Sequence, residues 1–127
     1  MPIHLNHTIV HAKDRWASAR FLAEVLGLPE PKAYGPFVMV ETDNEVSLDF
    51  MDSSGEIVSQ HYAFLISEAE FDEVFARIQE RDLDWWADPH GQHKREINHG
   101  DGGRGFYFAD PSGHWLEVLT RPYGSGG

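Results

Sequence analysis

Three side chains, His7, His61 and Glu117, are the candidates for holding a metal ion. Each lies in a short segment rich in apolar residues, as is typical of β-strands. Two imidazoles and one carboxylate on rigid strands leave coordination positions open for water or substrate, and this ligand set suits Fe(II), Mn(II), Zn(II) or Ni(II). The chain has no cysteine, so His, Asp or Glu must supply any metal ligand. Alternatively, each histidine is a core or edge residue that is hydrogen-bonded to the backbone.

The segment around Glu117 predicts a β-hairpin. Residues 104–120 contain two apolar runs on either side of the turn sequence Asp-Pro-Ser-Gly at 110–113, and Pro and Gly there favour a tight turn. Glu117 is then in the middle of a strand. A carboxylate in a sheet is costly unless it is hydrogen-bonded, paired or bound to a metal, because removing an unpaired ion from water is unfavourable. The alternative is that Glu117 lies on a solvated face.

The two histidines occupy equivalent places in an internal repeat. His7 lies in a predicted strand over residues 3–10, before a helix that Asp14 caps and Gly27 ends. His61 lies in a predicted strand over residues 61–66, before a helix that opens with Ser67 and Glu70, the signature of a capping box. The offset between the histidines is 61 − 7 = 54 residues. Strand, helix and β-rich segment therefore occur twice.

The repeat divides the chain into a first module at about 1–53 and a second at about 58–123. In the first module, residues 37–41 and 46–51 predict a hairpin that contains Asp49. Asp49 lies near the position of Glu117 in the repeat but one residue out of register, unless the first turn has one residue more. A pseudo-twofold arrangement of the modules would bring His7, His61 and Glu117 together around one cavity.

Composition limits the class of protein. With 127 residues, of which 41% are hydrophobic, the chain is expected to form a single domain over 1–127. The formal net charge of −11 opposes binding to nucleic acid or to an anionic membrane. We find neither a basic segment followed by an apolar one at the N-terminus nor an apolar run of about 20 residues. These features predict a cytoplasmic protein.

The sequence resembles the vicinal oxygen chelate superfamily, which includes glyoxalase I, extradiol dioxygenases, fosfomycin-inactivating thiol transferases and bleomycin-resistance proteins. The resemblance rests on Leu-Asn-His-Thr-Ile at 5–9, His-Tyr-Ala-Phe at 61–64 and the run from 106 to 117. It implies an α+β fold of two paired βαβββ modules that form a half-open mixed β-barrel with helices outside. It also implies one divalent metal ion, a substrate chelated through adjacent oxygens, and a homodimer.

The resemblance leaves the activity open. It implies a metal-dependent enzyme that acts on a small molecule, with dioxygenase-like or glyoxalase-like (lyase or isomerase) chemistry. The alternative is a metal-free protein of the bleomycin-resistance type that binds or sequesters a small molecule. Glyoxalase I takes a His and an acid from each module, and only Asp49 could be the first-module acid. A third possibility is an interaction module whose cavity is filled by side chains.

Two residues are candidates for catalysis. Tyr107 lies opposite Glu117 if the hairpin loop has an odd number of residues, and an even loop would turn it into the core instead. His99 could act as a general base near neutral pH, although a loop histidine is often simply solvated.

Three further residues are candidates for binding the substrate. Arg104 could bind an anionic group, or it could be a surface cation. Trp115 could line an aromatic pocket, or it could belong to the core. Asp49 could contact the substrate or serve as a fourth metal ligand.

Overall fold

The structure, a computed structural model, describes residues 2–126 and contains two compact units. The first unit comprises Met1–Val58 and Asp110–Ser112, and the second comprises Ser59–Ala109 and Gly113–Gly127. No helix among the described residues has the length and apolar character needed to cross a bilayer.

The first unit has the order βαβββ: β1 (His7–Ala12), α1 (Arg15–Leu26), β2 (Lys32–Tyr34), β3 (Phe37–Glu41) and β4 (Ser47–Asp52). The Asp14 carboxylate accepts from the backbone amides of Trp16 and Ala17, and Gly27 ends the helix at φ 71°. Both predicted helix ends are confirmed. The sheet order is β1-β4-β3-β2, with β1 and β4 parallel and the other pairs antiparallel.

The second unit contains β5 (His61–Leu65), α2 (Glu68–Glu80), β6 (Gly105–Ala109) and β7 (Trp115–Leu119). The predicted capping box is present, because the side chains of Ser67 and Glu70 each bond to the other's backbone amide. The sheet order is β5-β7-β6, with β5 and β7 parallel and β6 and β7 antiparallel. Trp86 adds a single bridge to Tyr107 on β6, where the first unit has a third antiparallel strand.

The predicted α+β class is confirmed, and both sheets are mixed. The apolar face of the second sheet packs on α2 through fully buried side chains, namely Phe71, Val74, Ile78, Phe106, Phe108 and Val118. This packing leaves the opposite face of β5, β6 and β7 to carry the polar residues discussed below.

The strand limits differ from the sequence predictions in three places. Residues 3–6 alternate as a strand does but do not belong to β1, whose pairing with β4 runs from His7 to Ala12. β2 was not predicted, because it has three residues and all are exposed, so it carries no burial pattern. Residues 83–86 have the aromatic composition that predicts a short strand, but they contribute only the isolated bridges of Trp86.

Candidate metal centre

His61 and Glu117 lie side by side on the polar face of the second sheet. In the parallel pairing of β5 with β7, His61 is opposite Trp115 and Ala63 is opposite Glu117, so all four side chains point to one face. The His61 Nε2 atom is 3.1 Å from Oε1 of Glu117. Glu117 is buried, with 1% of its surface exposed, whereas the His61 side chain is 46% exposed. A buried carboxylate therefore meets an imidazole that is open to solvent.

The protonation pattern of His61 is set by the backbone. Its Nδ1 atom is 2.9 Å from the carbonyl oxygen of Trp115, and because a carbonyl only accepts, Nδ1 must carry the hydrogen. A neutral His61 then presents a lone pair at Nε2, and that lone pair faces a carboxylate oxygen that also only accepts. Two acceptors 3.1 Å apart require a proton or a cation between them.

This arrangement fits a divalent metal ion. Two ligand atoms 3.1 Å apart can both reach a single ion at the usual metal–ligand distances of about 2.0–2.2 Å. A histidine that binds a metal through Nε2 commonly donates from Nδ1 to a carbonyl or carboxylate, which fixes its tautomer and orientation. The contact of His61 with the carbonyl of Trp115 has this form.

The second oxygen of Glu117 is held by a residue that the sequence analysis missed. The Tyr123 hydroxyl donates to Oε2 of Glu117, and the hydroxyl of Tyr107 lies 3.0 Å from that of Tyr123. Since Tyr123 has given its hydrogen to the carboxylate, Tyr107 must donate to Tyr123. Burial raises the pKa of both hydroxyls, and for Tyr123 the hydrogen bond to Glu117 raises it further. Both tyrosines are therefore protonated at neutral pH.

Aromatic rings line the same face. Tyr107 lies opposite Glu117 in the β6–β7 pairing, as expected for an odd loop. Its ring stacks on His61 with centroids 5.7 Å apart and on Trp115 with centroids 5.9 Å apart. Trp86 continues the row, 5.0 Å from Trp115. The Trp115 Nε1 atom is buried without a hydrogen-bond partner among residues 2–126. We refer to Trp86, Tyr107 and Trp115 as the aromatic wall.

In the first unit, the ring of His7 makes a similar hydrogen bond through Nδ1. Its Nδ1 atom is 2.7 Å from Oδ1 of Asn6, so Nδ1 again donates to an oxygen and leaves the Nε2 lone pair available. His7 is exposed on β1, opposite Ser47 on β4. Within residues 2–126, no group of three or more His, Asp or Glu side chains is close enough together to hold an ion. The three-ligand set stays a prediction.

The register predicted for Asp49 is wrong. Ile9 pairs with Asp49 as Ala63 pairs with Glu117, each two residues after its histidine. The loops at 42–46 and 110–114 are of equal length, so no extra residue is needed for the match. Asp49 is therefore the positional equivalent of Glu117. It is 8% exposed, and its Oδ1 accepts from the Ser47 hydroxyl at 2.5 Å.

Two other candidates lie in different surroundings. The Arg104 guanidinium contacts Glu68 at 2.7 Å and Asp72 at 3.0 Å, and it lies 4.2 Å above the Phe71 ring. All three of these residues lie on α2 and engage the guanidinium. His99 is exposed and precedes the short 3₁₀ turn Gly100–Gly102. Their suggested roles in binding and catalysis stay predictions.

Comparison with known proteins identifies a matching family and several similar proteins. The family model described as Glyoxalase/Bleomycin resistance protein/Dioxygenase superfamily matches residues 4–118. The solved structure of Oxidase ChaP-H2 is 62% identical, with a TM-score of 0.97 and 100% of both chains covered. Oxidase ChaP-H1 is 63% identical, with a TM-score of 0.95, 97% of this chain and 99% of that chain covered. The curated Glutathione transferase FosA of Serratia marcescens is 29% identical over 120 residues, which are 90% of this chain and 78% of FosA.

Proposed function

Because the chain belongs to the Glyoxalase/Bleomycin resistance protein/Dioxygenase superfamily, we propose that it is a metal-dependent enzyme that oxidises a small molecule bound through adjacent oxygen atoms. One observation carries the proposal: His61 Nε2 lies 3.1 Å from the buried Glu117 Oε1, while His61 Nδ1 is engaged by the Trp115 carbonyl. The oxidases that are 62% and 63% identical over nearly the whole of both chains favour oxidation over glyoxalase-type chemistry.

The proposed ligands are His61 and Glu117, which lie together, and His7, which the same chain or the second chain of the homodimer would supply, with one ion per site. When bound, a redox-active ion such as Fe(II) or Mn(II) would act as a Lewis acid on adjacent substrate oxygens and exchange electrons during oxidation. Zn(II) and Ni(II) suit the same ligands but favour the isomerase or lyase alternative. The homodimer and the cytoplasmic location expected from the sequence remain part of the proposal.

The chain's own residues orient these groups. The Trp115 carbonyl fixes the His61 ring, and the Tyr123 hydroxyl fixes Glu117. Tyr107 carries a hydroxyl hydrogen that it can give to a substrate oxygen if it leaves its contact with Tyr123. Trp86 and Trp115, the partly exposed rings of the aromatic wall, offer flat apolar surface, which favours a planar substrate whose ring stacks on them.

The test is metal content followed by oxygen consumption. The proteins compared are the wild type and the variants His7→Ala, His61→Ala and Glu117→Ala. Each is stripped of metal with a chelator and reloaded with Fe(II) in the absence of oxygen. Circular dichroism confirms that it is folded, and elemental analysis then gives its metal content. We expect about one ion per chain in the wild type and much less in each variant.

The loaded wild type is then assayed for oxygen uptake with aromatic compounds that carry adjacent hydroxyl or carbonyl groups. Uptake that requires the ion supports the oxidase. If the wild type retains no ion after reloading, the proposal is wrong and a metal-free binding protein becomes the better account. If the wild type retains the ion but converts its substrate without consuming oxygen, the glyoxalase-like (lyase or isomerase) alternative becomes the better account.

A further inference from the structure

The segment that follows β7, residues 121–126, forms a compact turn of its own. The Ser125 amide and hydroxyl both donate to the Pro122 carbonyl, at 3.1 Å and 2.6 Å. Arg121 donates from Nη2 to the Ser125 carbonyl at 3.1 Å. These short-range bonds give the segment a fixed shape although it has no regular secondary structure. We call residues 121–126 the strap.

One carboxylate ties the strap to the polar loop that precedes β6. Asp101 accepts from the Gly124 amide at 3.0 Å through one oxygen and from the Gly126 amide at 3.2 Å through the other. Asp101 has φ 54°, in the left-handed region that costs most residues free energy but that Asp tolerates. The backbone there directs the carboxylate at the strap, and Asp101 therefore anchors the strap to the loop.

The strap carries Tyr123, whose position depends on hydrogen bonds more than on packing. Tyr123 is 69% exposed, yet its hydroxyl donates to the buried Oε2 of Glu117 and accepts from Tyr107. A ring that is mostly in solvent has little core contact to hold it in place. The backbone of the strap must therefore position the hydroxyl.

We propose that Tyr123 is a positioning residue for Glu117, and that the strap, fastened by Asp101, keeps it in place. With Oε2 engaged by Tyr123, only Oε1 is directed at His61 Nε2 and available to a metal ion. The carboxylate is thus presented through one oxygen, in a fixed orientation. This inference rests on the proposed metal site, and it adds a residue that lies outside every strand and helix of the fold.

Cobalt(II) is a suitable probe, because its visible absorption reports coordination number and its affinity can be titrated without any substrate. In Tyr123→Phe, Oε2 loses its partner and the carboxylate is no longer held in one orientation. We expect about tenfold weaker Co(II) binding or more, the usual effect of losing a contact to a ligand, and an altered visible spectrum. Tyr34→Phe is the matched control, because Tyr34 is 70% exposed on β2; its affinity and spectrum should equal the wild type.

The strap is tested through Asp101→Gly, which removes the carboxylate and also suits the left-handed backbone. Asp82→Gly is its control, since Asp82 has φ 53°. Asp101→Gly should weaken Co(II) binding in the same direction as Tyr123→Phe, and the double variant should lose no more than Tyr123→Phe alone, because both changes act through one contact. In metal-free protein, hydrogen exchange of residues 121–126 should speed up in Asp101→Gly and not in Asp82→Gly.

The outcomes separate this inference from the proposed function. If Tyr123→Phe binds Co(II) with wild-type affinity and spectrum while Glu117→Gln does not bind it, the metal site stands and the positioning role of Tyr123 is wrong. If the two losses add fully in the double variant, Asp101 does not act through Tyr123. If wild type binds no Co(II), the metal proposal and the positioning role fail together, and the exchange rates still decide whether Asp101 fastens the strap.

Discussion

Replacing Glu117 by glutamine should separate metal binding from folding. In metal-free protein, a neutral His61 would place its Nε2 lone pair against Glu117 Oε1, a second acceptor, and the carboxylate is almost fully buried. A glutamine amide of the same size can donate to His61 and still accept from Tyr123. Glu117→Gln therefore satisfies both contacts without a buried charge, although it removes the anionic ligand.

The expected magnitudes follow from the size of the chain. Unfolding entropy of about 2.1 cal/mol/K per residue over 127 residues makes 1 kcal/mol worth about 4 °C in melting temperature. An ion at about one hundred times its dissociation constant adds about 2.7 kcal/mol, or about 10 °C. We expect that rise in wild type and none in Glu117→Gln. Without metal, the variant should melt at the wild-type temperature or up to about 4 °C higher, for a gain of about 1 kcal/mol.

The measurement is thermal unfolding followed by circular dichroism, in mildly alkaline buffer to reduce competition between protons and metal for the imidazoles, with chelator and then with Co(II). Glu41→Gln on β3 is the control for removing one negative charge at an exposed site, and it should keep the full rise. A rise that persists in Glu117→Gln would show that Glu117 is not a ligand. A metal-free variant that melts well below the wild type would refute the argument that two acceptors oppose each other.

Three further changes test other parts of the structure. His7→Ala should abolish the melting rise with Co(II), whereas His4→Ala, in the same N-terminal stretch, should keep it. Tyr107→Phe should leave metal affinity near that of the wild type but lower kcat, because it removes the hydroxyl hydrogen beside Glu117 and not a ligand. Glu70→Ala should lower stability at neutral pH, since the Ser67 backbone amide holds the pKa of Glu70 below its usual range. A lowered acid pKa stabilises the fold above the ordinary value of 4.5 and this contribution is lost in acid, so the cost should vanish there.

Each of these three predictions would be contradicted by a specific result. Wild-type metal stabilisation in His7→Ala would remove the first unit from the ligand set. A loss of Co(II) binding in Tyr107→Phe equal to that in Glu117→Gln would mean that Tyr107 supports the ligand and not the reaction. A Glu70→Ala penalty that is the same in acid as at neutral pH would show that packing, and not the capping carboxylate, carries the effect.

Local signals in the sequence were sufficient for the helices. Asp14 and Gly27 mark the ends of α1, and Ser67 with Glu70 marks the start of α2, because capping depends on a few neighbouring residues. The start of β1 was wrong since alternation shows only which faces a strand would have, and β1 exists only where β4 pairs with it. β2 could not be predicted because it buries nothing.

The site was predictable only where strands hold it. Alternation placed His61 on its face. The position of Tyr107 depended on the length of the hairpin loop, which the sequence left open and which the strand pairing shows to be odd. Asp49 was assigned the wrong register because counting along a sequence does not show where one loop ends and the next strand begins. Tyr123 was missed, since it lies in a glycine-rich stretch and reaches Glu117 through the fold of that stretch alone.

The two units share a plan but use their acids differently. Asp49 and Glu117 occupy equivalent positions, yet Asp49 is one methylene shorter and its Oδ1 accepts from Ser47, its neighbour along the strand. Glu117 reaches further, and its Oε1 points at an imidazole lone pair. Each acid has one oxygen engaged by a hydroxyl, Glu117 by Tyr123 and Asp49 by Ser47, so that contact does not distinguish them. The difference lies in the other oxygen: Glu117 has an imidazole nitrogen at 3.1 Å, and we therefore assign the carboxylate of the proposed metal site to Glu117.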